Sequence, residues 1–158
     1  MMYKKFTKMP PEAKKLREAV FVNEQHFKNE FDAIDNHAIH LVFYEQDQFL
    51  AVCRYYRDET VSGKYILGRI AVAKDQRGRH IGKALLGIAE KNIAEQGGRM
   101  IGLSAQVQAM RFYEKSGYHP AGEIYLDEAC PHIYMEKLLA KRGDAHASIS
   151  AAGVNHHF

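Results

Sequence analysis

A strand, helix, strand crossover in the middle of the chain constrains the fold more than any other stretch. Ile66 to Ala73 is an apolar, strand-like run, and Arg77-Gly78-Arg79-His80-Ile81-Gly82 follows as a cationic, glycine-bearing turn. Ile81, Ala84, Leu85, Ile88, Ala89 and Ile93 then recur at helical spacing, which predicts a helix over Arg79 to Gln96 that stops at Gly97-Gly98. Met100 to Ala105 is the next strand. A crossover of this kind joins parallel neighbours in one sheet. The turn opens the helix with amides that have no intrahelical partner, and neither Gly78 nor Arg79 offers a capping side chain. Those amides, the positive end of the helix dipole and the charges of Arg77, Arg79 and Lys83 form an anion site, each charge adding a few tenths to about 1 kcal/mol if partly exposed. The turn lacks the G-x-G-x-x-G pattern, and a Rossmann unit would begin earlier in its domain.

The flanking segments place this unit in a mixed sheet. Tyr3 to Phe6 reads as a short edge strand, and Pro10-Pro11-Glu12 opens a helix with Leu16, Val20 and Phe21 on its apolar stripe, ending near Glu24-Gln25. His26 to His37 has no period and reads as a loop or broken short helix. Ala38 to Tyr44 and Phe49 to Arg57 form a hairpin through Gln46-Asp47-Gln48, and a turn at Gly63 leads into a third strand, Tyr65 to Ala73. The short connections make these three antiparallel. After Met100 to Ala105 come a short helix, Ala109 to Lys115, closed by Gly117, and two strands near Tyr118 to Tyr125 and His132 to Leu138. The expected fold class is mixed α/β, mainly antiparallel, with flanking helices. One domain over 1–139 is followed by a tail over 140–158 that loses apolar periodicity.

With 158 residues, 46% hydrophobic and 26% charged, the chain has the composition of an ordinary globular domain. Its 22 basic against 19 acidic residues fall well short of a nucleic-acid-binding composition, so an anionic partner is expected to be small. Cys53 and Cys130 lie in apolar strand-like runs without a paired motif, which points to buried, reduced thiols and a cytoplasmic protein. Met1 to Pro11 holds no apolar run fit for a signal peptide, and no segment approaches eighteen apolar residues, so no membrane association is expected. His37 and His40 would fall on opposite faces of a strand, and no metal site is expected from them and Asp35.

Two segments carry a family resemblance. Ile70-Ala71-Val72 with Arg77 through Gly82, and then Gln106-x-x-Ala109-x-x-Phe112-Tyr113-Glu114-Lys115-x-Gly117-Tyr118, resemble in order and spacing the two acetyl-CoA segments of the GCN5-related N-acetyltransferase (GNAT) superfamily. His80 departs from its usual middle glycine and Gln106 from its common asparagine. The N-terminal stretch Val20 to Gln25 with Asp32, Asp35 and His40, and Pro131-His132 near the end, resemble the ElaA and YjcF-like members.

The resemblance implies a GNAT-type sheet with a central strand pair splayed between Ile70 and Leu103. It also implies acetyl-CoA as cosubstrate, held by Ala71, Val72 and Ala73, by Arg77, Gly78, Arg79, His80, Ile81, Gly82 and Lys83, and by Gln106, Phe112 and Lys115. A backbone N–H near Ala71 or Val72 is expected to polarise the acetyl carbonyl. Tyr113 fits the family's general acid, and Glu24, Asp32, Asp35, His40 and His132 are candidates for the base, of which Glu24 and His40 lead. Gln25, Asp32, Asp35 and His132 are candidate acceptor contacts. The acids between Glu24 and Asp35 hint at a cationic acceptor. The expected activity is acetyl transfer to a primary amine, on a small molecule or a peptide, by direct attack in a ternary complex. A non-catalytic acyl-CoA-binding regulatory module is the alternative, and the resemblance allows a homodimer, since dimers are frequent in the superfamily.

Overall fold

The computed structural model describes residues 1–140, so the expected tail lies, beyond Ala140, outside the described residues. One mixed sheet runs through the molecule. Its strands are β1 (Met2–Phe6), β2 (Ile39–Glu45), β3 (Gln48–Arg57), β4 (Lys64–Val72), β5 (Met100–Gln106), β6 (His119–Pro120), β7 (Tyr125–Asp127) and β8 (Cys130–Leu138). They lie in the order β1-β2-β3-β4-β5-β8-β6, with β7 also paired to β8. Every pair is antiparallel except β4 with β5, the two strands joined by the crossover helix α2 (Ile81–Glu95).

Helices cover both faces. α2 buries Ala84, Leu85, Ala89 and Ile93 on the face of the sheet that carries Leu41, Cys53, Tyr55, Leu67, Ile101 and Met135. α1 (Pro11–Arg17) begins with proline in its first turn and covers the other face, where Ala13, Val20 and Phe21 pack with Val42, Val52 and Ala71. Past Arg17 the helix widens to π geometry over Glu18–Glu24, and the Gln25 amide donates to Val20 O at 3.1 Å. Consecutive apolar residues, Val20 and Phe21, thereby both face the sheet.

Three details depart from the sequence-based expectation. Tyr118 to Tyr125 is not one strand: it splits into β6 and β7, because Pro120 cannot donate to a ladder and Gly122 follows it. The central helix starts at Ile81, since His80, its N-cap, is left-handed at φ 59°. Cys130 is half-buried at the start of β8, whereas Cys53 lies in the core.

β4 also carries a bulge. Val52 pairs with Ala71 and Arg54 with Gly68, so Cys53 stands opposite two residues, and Arg69 adopts φ 54°. The extra residue reverses the strand's facing: Tyr65 and Leu67 pack toward α2 before it, Ile70 and Val72 after it.

Beneath α1 the core is ionic. Arg17, 2% exposed, donates from Nε to Glu30 at 2.7 Å and from Nη1 to Asp35 at 2.8 Å. Arg54 Nη1 reaches Asp32 at 2.6 Å and Asp35 at 2.9 Å, while Arg69 meets Glu30 at 3.2 Å and Asp32 at 3.4 Å. Three guanidiniums and three carboxylates thus neutralise one another. Asp32 and Asp35 also form a reciprocal capping box for the short turn Ala33–Asn36.

Removing one member strands its partners in low dielectric, so Arg17→Met is expected to cost about 3 kcal/mol in urea unfolding. Burial alone would raise the Asp35 carboxyl, but hydrogen bonds from Arg17 and Arg54 outweigh it and hold it down at about 2, against an ordinary 3.8. The native carboxyl therefore takes up its proton at lower pH than the unfolded one. Its contribution is complete above pH 3.8 and lost on acidification toward about 2, a loss that Asp35→Asn should remove from the stability-against-pH curve.

Candidate active site

The gap between β4 and β5 organises the site. The two strands pair in parallel only at Lys64 with Met100, Tyr65 with Ile101 and Ile66 with Gly102, and then part. A cleft opens beyond that point. It has a volume of about 260 Å³, with Leu67, Gly68, Arg69 and Ile70 on one wall and Leu103, Ser104 and Gln106 on the other. Its roof is the loop after the π turn, through Gln25, Phe27, Asn29 and Glu30. α3 (Met110–Lys115) contributes Tyr113, the β7–β8 hairpin contributes Asp127 and Glu128 at its turn, and β8 contributes His132.

The end of β4 presents an open edge on the same side. Ala73 N–H donates to Leu50 O at 2.8 Å, and the register continues with Val52 opposite Ala71. Antiparallel pairs alternate, so Ala71 and Ala73 bond to β3 while the N–H and C=O of Val72 point away from it. Of the three residues expected to hold a ligand along this strand, Val72 alone offers its backbone outward. Arg77 covers that edge: its Nε and Nη2 donate to Val72 O at 3.3 and 3.2 Å, and its Nη1 and Nη2 clasp Glu24 at 2.6 and 2.8 Å.

The cationic turn lies directly after. Gly78 has φ 86°, a conformation open to glycine, and His80 at φ 59° is one of the better non-glycine residues for that region. No side chain caps α2, and the first amide to donate back into the helix is that of Ala84, to His80 O. The amides of Ile81, Gly82 and Lys83 thus face outward with the helix dipole behind them. The Ile81 side chain is buried in the core, which leaves only its amide for a ligand. Arg79 bonds Gln76 and Glu45. A Cβ placed on Gly82 would stand 3.6 Å from Phe112 and 3.7 Å from Val72, so the turn, the strand edge and α3 converge at this glycine.

On α3, Phe112 and Tyr113 pack edge to face at 5.0 Å, one toward the turn and the other toward the cleft. Burial pushes the Tyr113 phenol up, so it stays protonated. Lys115 is exposed at the helix end.

The acceptor-side residues separate into two groups. Gln25 and His132 reach the cleft, and Gln25 accepts from Gln106 Nε2 at 2.8 Å. Asp32, Asp35 and His40 do not. The two aspartates are bound to Arg54, Arg17 and Arg69, and His40 is 2% exposed with Nε2 2.9 Å from Asp35 O. Glu24 is engaged by Arg77, which lowers its carboxyl, and stands outside the cleft lining. In the loop, Glu30, Asp32 and Asp35 supply the arginines' counter-charge.

Sequence reasoning missed Glu30, Arg69, the Ser104 hydroxyl that Tyr125 bonds, and Glu128. Glu128 accepts the amides of Lys28 and Asn29 at 2.8 and 3.0 Å and so ties the roof to the β7–β8 turn. The one available signal was Gly68-Arg69 inside a strand, a bulge pattern.

Residues 8–139 match the family model described as the acetyltransferase (GNAT) domain. YjcF of Bacillus subtilis, described as an uncharacterized N-acetyltransferase, is 36% identical over 77% of this chain and 87% of its own length. The crystal structure of ElaA from Escherichia coli superposes with a TM-score of 0.77 at 23% identity, covering 86% of this chain and 98% of that one. An acyl-CoA N-acyltransferase from Pseudomonas aeruginosa gives 0.76 at 25% identity, with coverage of 86% and 98%.

Glu128→Ala is expected to speed hydrogen exchange at the amides of Lys28 and Asn29 while leaving core strand amides unchanged, a difference that amide-resolved exchange reads directly. Equal protection in the variant would show that the roof is held by other contacts.

Proposed function

Because the chain belongs to the GNAT acetyltransferase family, we propose that it transfers acetyl from acetyl-CoA to a primary amine by direct attack in a ternary complex. The observation that carries this reading is the convergence at Gly82, where an amide-lined helix start meets Val72 and Phe112, whose strand and helix also supply Ile70 and Tyr113 to the cleft lining.

The CoA diphosphate takes the amides from Gly78 to Lys83, helped by the charges of Arg79 and Lys83. The pantetheine adds to Val72 as a short strand, which requires Arg77 to leave Val72 O. The Arg77–Glu24 ion pair is solvent-exposed and screened, so a cofactor can displace it. The Val72 N–H then polarises the thioester carbonyl. The amine attacks the carbonyl carbon, the carbon–sulfur bond breaks, and the Tyr113 hydroxyl protonates sulfur. Burial raises the phenol and would raise the basicity of a thiolate formed beside it, which keeps the transfer matched.

Neither cysteine suits an acetyl-enzyme route. Burial pushes the Cys53 thiol far up inside the core, and burial also raises that of Cys130. The cleft's 260 Å³ lies just below the usual range of small-molecule sites, about 300–1,000 Å³, and favours a compact amine or a single side chain. Among the described residues no helix is long and apolar enough to cross a membrane.

Calorimetry with acetyl-CoA is expected to show binding, and its absence at millimolar ligand would sink the reading. Thiol release with n-butylamine, putrescine and lysine amide separates turnover from the alternative, a binding module, which would bind without release. Tyr113→Phe should lower kcat by about 10²-fold or more with acetyl-CoA affinity unchanged. His80→Gly should hold that affinity within about threefold, because the anion is bound by amides, not by imidazole.

A further inference from the structure

We propose that His132 is the general base that takes the acceptor's proton, a role that rests on the acetyl-transfer reading. The ring is fixed on three sides. Its Nδ1 lies 2.8 Å from Cys130 O, Tyr125 stacks on one face at 5.9 Å, and Phe27 meets it edge-on at 6.1 Å. A carbonyl oxygen can only accept, so Nδ1 carries the proton and Nε2 of the neutral ring bears the lone pair. Among the described residues no protein group bonds Nε2, and it is not among the buried polar atoms left without a partner. The side chain is 7% exposed yet lines the cleft, so Nε2 is its open atom.

Every other proton acceptor that lines the cleft is engaged or peripheral. Glu30 holds Arg17 with one oxygen and Arg69 with the other, at 2.7 and 3.2 Å. Glu128 uses both oxygens on the amides of Lys28 and Asn29. Asp127 is exposed on β7 at the rim. The charges that surround the His132 ring are therefore Glu30 from the roof, Asp127 and Glu128 from the turn, and Arg69 from β4. The carbonyl at Nδ1 supports the imidazolium formed when Nε2 takes a proton.

The protons balance across the reaction. The acceptor ammonium gives its first proton to Nε2, its lone pair forms the carbon–nitrogen bond, and the electron pair of the carbon–sulfur bond leaves on sulfur. Tyr113 protonates that sulfur and regains the amide nitrogen's second surplus proton. His132 discharges to solvent.

Nitrogen-15 NMR of the imidazoles in the full chain should show His132 as the Nδ1–H tautomer, and the opposite tautomer would overturn the assignment. His132→Asn keeps a donor for Cys130 O but removes the base. With acetyl-CoA and the same three amines it should lower kcat/KM by about 10²-fold or more, keep acetyl-CoA affinity within about threefold, and lose the ascending limb of the wild-type pH–rate profile. A variant that retains both rate and limb would refute His132 as base while leaving acetyl transfer intact. A wild-type protein that binds acetyl-CoA but acetylates none of the three amines would overturn the acetyl-transfer reading and the base together.

Discussion

The early end of the β4–β5 pairing is the constraint on which the rest of the structure depends. Two parallel strands joined by a helix normally stay paired along their length, and here they separate after Ile66 and Gly102. Separation leaves backbone groups of both strands without sheet partners, a cost that a buried sheet centre does not ordinarily bear. The loss is local because the cleft is polar and reaches solvent. The crossover also fixes where the anion site must be: α2 starts just past the strand's C-terminal end, so its free amides open beside the same gap. A strand edge, a helix start and a cleft coincide through connectivity, without a separate device for each.

The ionic layer under α1 has a different function. Replacing it with well-packed apolar side chains could leave the fold equally stable, because desolvating six charges offsets most of their attraction. What the charges fix is geometry. Arg17 sets α1 against the loop that carries Glu30, and Arg69 extends the same network to the cleft wall. The roof, the wall and the helix above them are held in register by directional contacts, which apolar packing would not supply. Burial raises the Glu30 carboxyl, and its arginine partners offset only part of that rise.

What could be read from the sequence was the chemistry confined to short stretches. The turn from Arg77 to Gly82, the stripe of α2 and the Phe112-Tyr113 pair each fall within one element, and their spacing follows from helix geometry. The ionic network was not legible, because its members lie 13 to 39 residues apart and nothing local distinguishes a paired acid from a solvated one. His40 and His132 show the same limit. Both lie on strands among apolar neighbours, and alternation assigns a face without saying whether that face meets a gap. The split of Tyr118 to Tyr125 turned on Pro120, a local signal that the apolar pattern masked.

Arg69 has a further consequence. Taken out of the sequence, it would leave Tyr65, Leu67, Ile70 and Val72 at strictly alternate positions, the pattern of an uninterrupted strand. The site therefore differs from a plain sheet by a single inserted residue, held at φ 54° for about 1–2 kcal/mol of backbone strain. Substitution at this position changes a side chain; excision would close the bulge, leaving Ile70 and Val72 on the face they share with Tyr65 and Leu67 in a plain, regularly paired strand. The interruption of the strand beside the cleft is, in this sense, encoded by a count, not by the identity of any residue that surrounds it.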